Sequence, residues 1–498
     1  MKVVVFSTHI IWPYHYETEL EIMQSHLDQG HELIQLVCNA SFGICDTNLE
    51  HSVYKCMTCI NRRKAGVAEL QGKVKELEIL DFTGPEELQA ASKMPCSFDS
   101  LDKLQELHLG NYPIGYAVGS TLISLLRSTT IDLSSGNKKL GSLMRHAALT
   151  YYACKNFLEK EKPDLVYVFN GRIPNPRAMI SACHEAGITC MIHERGNSYK
   201  YYEIFTNKLP QDLNYRQDLS LTAWENGKEP ERSKLAHDFF INRRKGQEQG
   251  WHSFVSHQKD GLLPENWDSK KHNIVIFNSS EDEYLSCSED WKNKLYPSQY
   301  KAIRRICNDL KDQPDIQIYL RCHPNLAGAS DSEKKELASM KNEPLVFIAP
   351  EDTISTYALL DNCSVVLTFG STVGIEATYW DKPSVLAGPS LYDRLESTYN
   401  PQSHEDVITL LKNRDLKPKE KQGALIYGYY YNSYGKNFKY FTPESLSSGK
   451  FKGKNLMKSK RSINWTFKIL DSDPTKLMYR VLARYYRNKI KGFPQDNS

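Results

Sequence analysis

Ser364-Val-Val-Leu-Thr-Phe-Gly-Ser-Thr-Val-Gly-Ile-Glu376 decides how this chain folds. A short, continuous apolar run reads as a strand buried on both faces of a parallel sheet. Gly370 then permits a tight turn, and Ser371 or Thr372 can cap the helix that follows. Free N–H groups at a helix start, with the positive end of its dipole, favour a phosphate. Glu376 lies four residues after Thr372, so the two can share one helical face, and a carboxylate there can hold ribose hydroxyls. The bland alternative is an ordinary strand-to-helix junction with a good cap.

Working outward, the same strand-then-helix rhythm recurs on both sides. Apolar runs at 272–278, 315–321, 345–348 and 383–387 are separated mostly by helical stretches. Such alternation implies a doubly wound parallel sheet over residues 272–420. A second α/β domain is expected over residues 1–255. Its strands are read at 2–7, 31–38, 163–170 and 187–193, with helices at about 17–29 and 177–185 and a mainly helical insertion at about 65–160. Residues 256–271 are polar, contain Gly261 and Pro264, and read as an interdomain linker. Ligands of open α/β sheets bind beyond the carboxyl ends of the strands, so a cleft between two such domains is the expected site.

Three loops at those carboxyl ends carry chemistry. Arg321-Cys-His-Pro-Asn325 ends one strand: Pro324 stops it and leaves Arg321 and His323 at its end. Arg321 can pair with phosphate oxygens or brace a neighbouring loop. This loop and Gly370–Glu376 are expected on adjacent strand ends. The third, Asn278-Ser-Ser280, ends the strand at 272–278. Ser280 and Glu283 have capping-box spacing, which explains that pair without a ligand, while Asn278 and Ser279 are weaker candidates. In the first domain Asn170-Gly-Arg172 and His193-Glu-Arg-Gly196 each follow a strand. Glu194 is the candidate general base for an acceptor hydroxyl, with a salt bridge to Arg172 or Arg195 as the bland reading and His9 and Glu17 as competitors. His9, Asn170, Arg172 and Arg195 complete the acceptor side.

The remaining features bound the function. With 63 Lys and Arg against 60 Asp and Glu, the net charge of +3 gives nucleic-acid binding no support. No apolar run is long enough to span a bilayer, and the first ten residues lack a signal-peptide pattern, so the chain is expected in the cytoplasm. Cys38, Cys45, Cys56 and Cys59 are the one cysteine cluster, readable as buried thiols or a structural zinc site. The segment 421–498 reads as a basic, aromatic helical tail. From Phe451 onward it holds 12 Lys and Arg against 3 Asp, suiting either the inner face of the membrane or packing back on the protein.

The pair His323-Pro324 followed by Ser371-Thr372 resembles the "HP" and "S-S/T" motifs of bacterial GT-B sialyltransferases, which contact the CMP part of the donor. Glu194-Arg-Gly196 sits where their acidic motif would supply the base, although Arg195 departs from that pattern. Residues 272–395 look still more like the bacterial capsule-polysaccharide synthesis proteins that include Kdo transferases. The shared pattern is Arg-x-His-Pro, then Gly-Ser-Thr-x-Gly-x-Glu-Ala, then Asp381-Lys-Pro383. The resemblance implies a GT-B-like fold and inverting, metal-independent transfer, with no cofactor, from a nucleotide sugar to a surface glycan. It implies His323, Asn278, Ser279, Ser280, Arg321, Asn325, Gly370, Ser371, Thr372 and Glu376 on the donor side. Rival readings are a nucleotide-sugar epimerase on the same architecture and a non-catalytic glycan-binding or assembly protein.

Overall fold

The computed structural model describes residues 1–12, 14–128, 131–247, 255 and 257–456. The chain divides into two compact units. Unit 1 comprises residues 1–121, 132–210 and those from 435 onward, and unit 2 comprises 122–131 and 211–434.

Unit 1 is built on β1 (Lys2–Ser7), β2 (Glu32–Val37), β3 (Val74–Glu78), β4 (Leu165–Phe169), β5 (Thr189–Arg195) and β6 (Tyr201–Thr206). Their order is β6-β5-β4-β1-β2-β3, with β1 to β5 parallel and β6 antiparallel to β5. A two-residue strand, Lys436–Asn437, pairs with β6 and extends that edge. The order reverses direction between β1 and β4, which is the topological switch of a Rossmann sheet. Its strands carry an apolar core: Val3, Val4, Val5, Ile34, Leu36, Val166 and Ile192 are all buried.

Unit 2 carries β7 (His272–Phe277), β8 (Ile316–Arg321), β9 (Val346–Ile348), β10 (Val365–Thr368) and β11 (Ser384–Leu386), all parallel in the order β11-β10-β7-β8-β9. This is a second Rossmann sheet, and two such sheets in one chain give the GT-B-type content that the motifs implied. Register matters here. Thr368 of β10 pairs with Phe277 of β7, and Phe277 pairs with Arg321 of β8. Three strands therefore end in one row, and their loops leave the sheet at one level. The helix Gln299–Leu310 covers one face through Tyr300, Ile303, Ile306, Cys307 and Leu310, each buried. Each large apolar side chain of that stripe stabilises the unit by roughly 1.5–3 kcal/mol.

Several expectations are corrected. The loops of β8 and β10 are not adjacent, because β7, the first strand of its unit, takes the central place. The segment 65–160 is mainly helical, as read, but it also supplies β3, a parallel edge strand of the sheet. Its Val-Lys-Glu-Leu-Glu sequence is polar and partly exposed, as edge strands are. The unit boundary lies at 210, not 255. Helices Leu213–Asn226 and Glu231–Arg244 belong to unit 2, where Phe239 and Phe240 pack with Tyr427, Tyr430 and Tyr431 of helix Gln422–Ser433. Residues 257–271 are not a free linker: Lys259 N donates to the Thr353 carbonyl at 2.8 Å and Ser355 N to that of Leu262 at 3.0 Å. Residues 421–456 are integral to the two units, and the rest of the expected tail, 457–498, lies outside the described residues. Among the described residues no helix is long and apolar enough to cross a membrane.

Candidate functional site

The carboxyl-end row of unit 2 opens into a cavity lined by Asn278, Arg321, His323, Ser371, Thr372 and Glu376, together with Arg243, Gln258 and Tyr357. It sits at the switch between β7 and β10, where open α/β sheets bind ligands. Ser279, Ser280, Asn325 and Gly370 shape its loops without lining it.

Asn278 is the hub. Its buried side-chain carbonyl accepts the His323 N–H at 2.7 Å and so ties the β7 loop to the β8 loop. Gln299 clamps the next residue, accepting from Ser279 N at 2.7 Å and donating to its carbonyl at 3.2 Å. The Ser280 hydroxyl donates to Asp282 at 2.5 Å and makes no cap bond, so the expected capping-box geometry does not form.

The His323 ring accepts the Asn325 N–H at Nδ1, 3.2 Å away. A neutral ring accepting there holds its proton on Nε2 and is a donor at that atom. Burial, then the charges of Arg321 and Arg243, lower its pKa from the usual 6.5 to about 4. It is therefore neutral at physiological pH. Arg321 is 2 % exposed, and its guanidinium donates to the carbonyls of Ala349 and, at 3.2 Å, Asp352. Of the two roles open to it in the sequence, the bracing of the 349–352 loop is the one its bonds serve.

On the β10 side, Gly370 adopts φ +128°, a region that only glycine enters readily. Gly374 lets the helix Val373–Tyr379 approach β10, because a Cβ there would lie 2.7 Å from Thr368 Oγ1 and against Tyr392. The Tyr392 hydroxyl donates to the Ser371 carbonyl, and Gly374 N and Glu376 N close the first turn onto Ser371 and Thr372. Glu376 is 2 % exposed. One oxygen takes Arg243 Nε at 3.0 Å, and the other takes the Tyr357 hydroxyl at 2.7 Å. The carboxylate expected to face a ribose thus has internal partners for both oxygens. Arg243 escaped the sequence reading because it was assigned to the other domain. Its signal was the Arg-Arg pair closing a helix before Gly246.

In unit 1 the corresponding row is Ser7, Phe169 and His193. Asn170 and Gly171 both take positive φ, turning the chain so that Asn170 Nδ2 donates to Glu194 Oε2 at 2.6 Å. Its Oδ1 accepts Arg172 N at 3.1 Å, and Glu194 Oε1 accepts Arg195 N at 2.9 Å. Glu194 is half-buried, with its orientation fixed by these bonds. The Arg195 guanidinium lies 5.6 Å from the Tyr14 ring centroid. His9 is committed elsewhere: Nε2 pairs with buried Asp46 at 3.0 Å and Nδ1 meets Thr8 Oγ1 at 3.0 Å. Glu17, the other competitor, is held by Arg62 in a buried ion pair of 2.5 Å.

Cys38, Cys45, Cys56 and Cys59 converge on a small cavity in unit 1. All four are free thiols, and burial pushes Cys45 and Cys59 up to about 12. Among the described residues, no group of three or more His, Cys, Asp or Glu is arranged to hold a metal ion. Asn48 donates to Cys56 Sγ at 3.3 Å, so the cluster is stitched by side-chain bonds instead.

Comparison with known proteins adds a partial match. Residues 291–416 match the model described as capsule polysaccharide biosynthesis protein. No curated protein matches. Among solved structures, the chain is similar to the beta-Kdo 2,4 transferase KpsC of Thermosulfurimonas dismutans, with 14 % identity over 63 % of this chain and 88 % of that one (TM-score 0.36). It is similar to the UDP-bound MnaA of S. aureus with 12 % identity, over 88 % of this chain and 93 % of that one (TM-score 0.28). It is also similar to the UDP-GlcNAc 2-epimerase of Neisseria meningitidis bound to UDP-GlcNAc, with 11 % identity over 86 % and 97 % (TM-score 0.28). Nothing about activity follows from likeness this low. The matched segment spans β8, β10 and their loops. The family match is confined to residues 291–416, the segment that carries the loops of β8 and β10.

Proposed function

We propose that the chain is a glycosyltransferase, moving a sugar from a nucleotide donor, CMP-linked Kdo or a sialic-type sugar in preference to a UDP-sugar, to a surface or capsular polysaccharide. The observation that carries this reading is the cavity of unit 2, where Asn278, His323, Ser371 and Thr372 gather donors at a topological switch. In the proposed reaction the acceptor oxygen attacks the anomeric carbon as the bond to the donor phosphate breaks, inverting the centre without a metal ion. Neutral His323, donating from Nε2, and the hydroxyls of Ser371 and Thr372 stabilise the charge that grows on the departing phosphate. Glu194 takes the acceptor's proton, with Asn170 fixing its orientation. The proposed setting is the cytoplasm, at the inner face of the membrane.

Incubating the full chain with candidate donors, with and without a glycan acceptor, tests the reading. Sugar transfer only when acceptor is present supports it. Conversion of a donor supplied alone makes the chain an epimerase, and no nucleotide binding at all leaves a glycan-binding or assembly role.

A further inference from the structure

We infer that Arg243 is the cation that grips the donor's phosphate, and that Glu376 is a positioning residue that holds Arg243 rather than a ribose ligand. The inference rests on the donor-site reading above. Arg243 lies outside the family match and outside every motif in the sequence, yet it lines the same cavity as His323 and Ser371.

Two arginines line that cavity, and their bonding separates them. Arg321 is 2 % exposed and spends its guanidinium on the carbonyls of residues 349 and 352. Arg243 keeps 29 % of its side chain exposed. Its Nε donates to Glu376 at 3.0 Å and its Nη2 to Thr372 Oγ1 at 2.9 Å. Among the described residues nothing within hydrogen-bond distance takes up Nη1. A guanidinium is a planar fork, so fixing two of its nitrogens fixes the direction of the third.

Glu376 completes the device. At 2 % exposure it is a buried carboxylate held between Arg243 and the Tyr357 hydroxyl, and a buried charge is tolerable only when so paired. The Thr372 contact ties the cation to the loop that carries Ser371. Arg243 is also the second-last residue of its helix, where the negative dipole end favours a cation. Among the cavity's lining side chains Arg243 and Arg321 are positive and Glu376 alone is negative, so the surplus suits an anion.

The experiment is calorimetric titration of the full-length chain with cytidine and uridine monophosphates and their 2′-deoxy forms. Arg243→Lys keeps the charge and loses the fork; Glu376→Gln and Thr372→Val each remove one support. In all three, affinity for the ribonucleotide should fall roughly ten- to a hundredfold, the worth of one charge-assisted hydrogen bond. The ratio of ribo to deoxy affinity should stay unchanged, and the losses in Arg243→Lys and Glu376→Gln should not add in the double variant. Thermal unfolding identifies any variant that fails to fold, and Thr372→Val, which alters only a hydroxyl, keeps the question open to measurement. Wild-type affinity in Arg243→Lys overturns the inference. So does a Glu376→Gln variant that binds the ribonucleotide no better than its deoxy form, because that makes Glu376 the ribose ligand. A wild-type chain that binds none of the nucleotides overturns the donor-site reading itself, and this inference with it.

Discussion

The side-chain carbonyl of Asn278 accepts the backbone N–H of His323 at 2.7 Å, joining the central strand of unit 2 to the loop that carries the His323-Pro324 pair. Asn278→Ala leaves a buried N–H without a partner, which costs about 1–3 kcal/mol. Chemical denaturation should show that loss. Nucleotide affinity should fall with it, because the loop loses its tether; unchanged stability and binding would mean the bond does no positioning.

His323 predicts a pH dependence. Its folded pKa, about 4, lies below the unfolded value near 6.5, so the unfolded chain takes up the proton first as pH falls. Stability from the neutral ring is complete above about pH 6.5 and is lost as pH falls towards 4. By linkage the loss approaches about 3 kcal/mol. Other buried histidines titrate in this range, so the test is the difference between wild type and His323→Gln. The variant should have the shallower slope of stability against pH between 6.5 and 4.5; equal slopes would show that His323 is not the group involved.

Gly374→Ala places a methyl group against Tyr392 and 2.7 Å from Thr368 Oγ1, where one side is strand and the other a buried tyrosine. Overpacking of this kind costs about 1–3 kcal/mol. A fall in the thermal midpoint is expected, along with weaker donor binding, since the Tyr392 hydroxyl holds the Ser371 carbonyl. Wild-type behaviour would show that helix Val373–Tyr379 shifts freely.

Glu194→Gln keeps the shape of the carboxylate and its partner Asn170 but removes the proposed base. Transfer should be abolished while nucleotide affinity stays at the wild-type level. Full activity in this variant would remove Glu194 from the role.

What the sequence disclosed follows from how each part is stabilised. Strands β7, β8 and β10 are buried on both faces, so burial wrote them as plain apolar runs. Gly370 and Gly374 were legible because a turn and a close helix approach leave little choice of residue. Strand β3 was hidden, since an edge strand faces water and Val-Lys-Glu-Leu-Glu carries no apolar run. The boundary at 210 was hidden too. The helices at 213–226 and 231–244 are bound to unit 2 mainly through tyrosines about 200 residues later, a pairing that no local pattern records. Arg243 was missed for the same reason: its meaning depends on Glu376 and Thr372, which lie 133 and 129 residues further on.

The central claim is that unit 2 holds a nucleotide-activated sugar through the row of loops at β7, β8 and β10. Titrating the full-length chain with CMP- and UDP-sugars, for wild type and His323→Ala, tests it most directly. Saturable binding of one nucleotide class is expected, with a loss of roughly tenfold or more in the variant, the order expected for a donor to a charged group. No binding to the wild-type chain, or equal binding to His323→Ala, would contradict it.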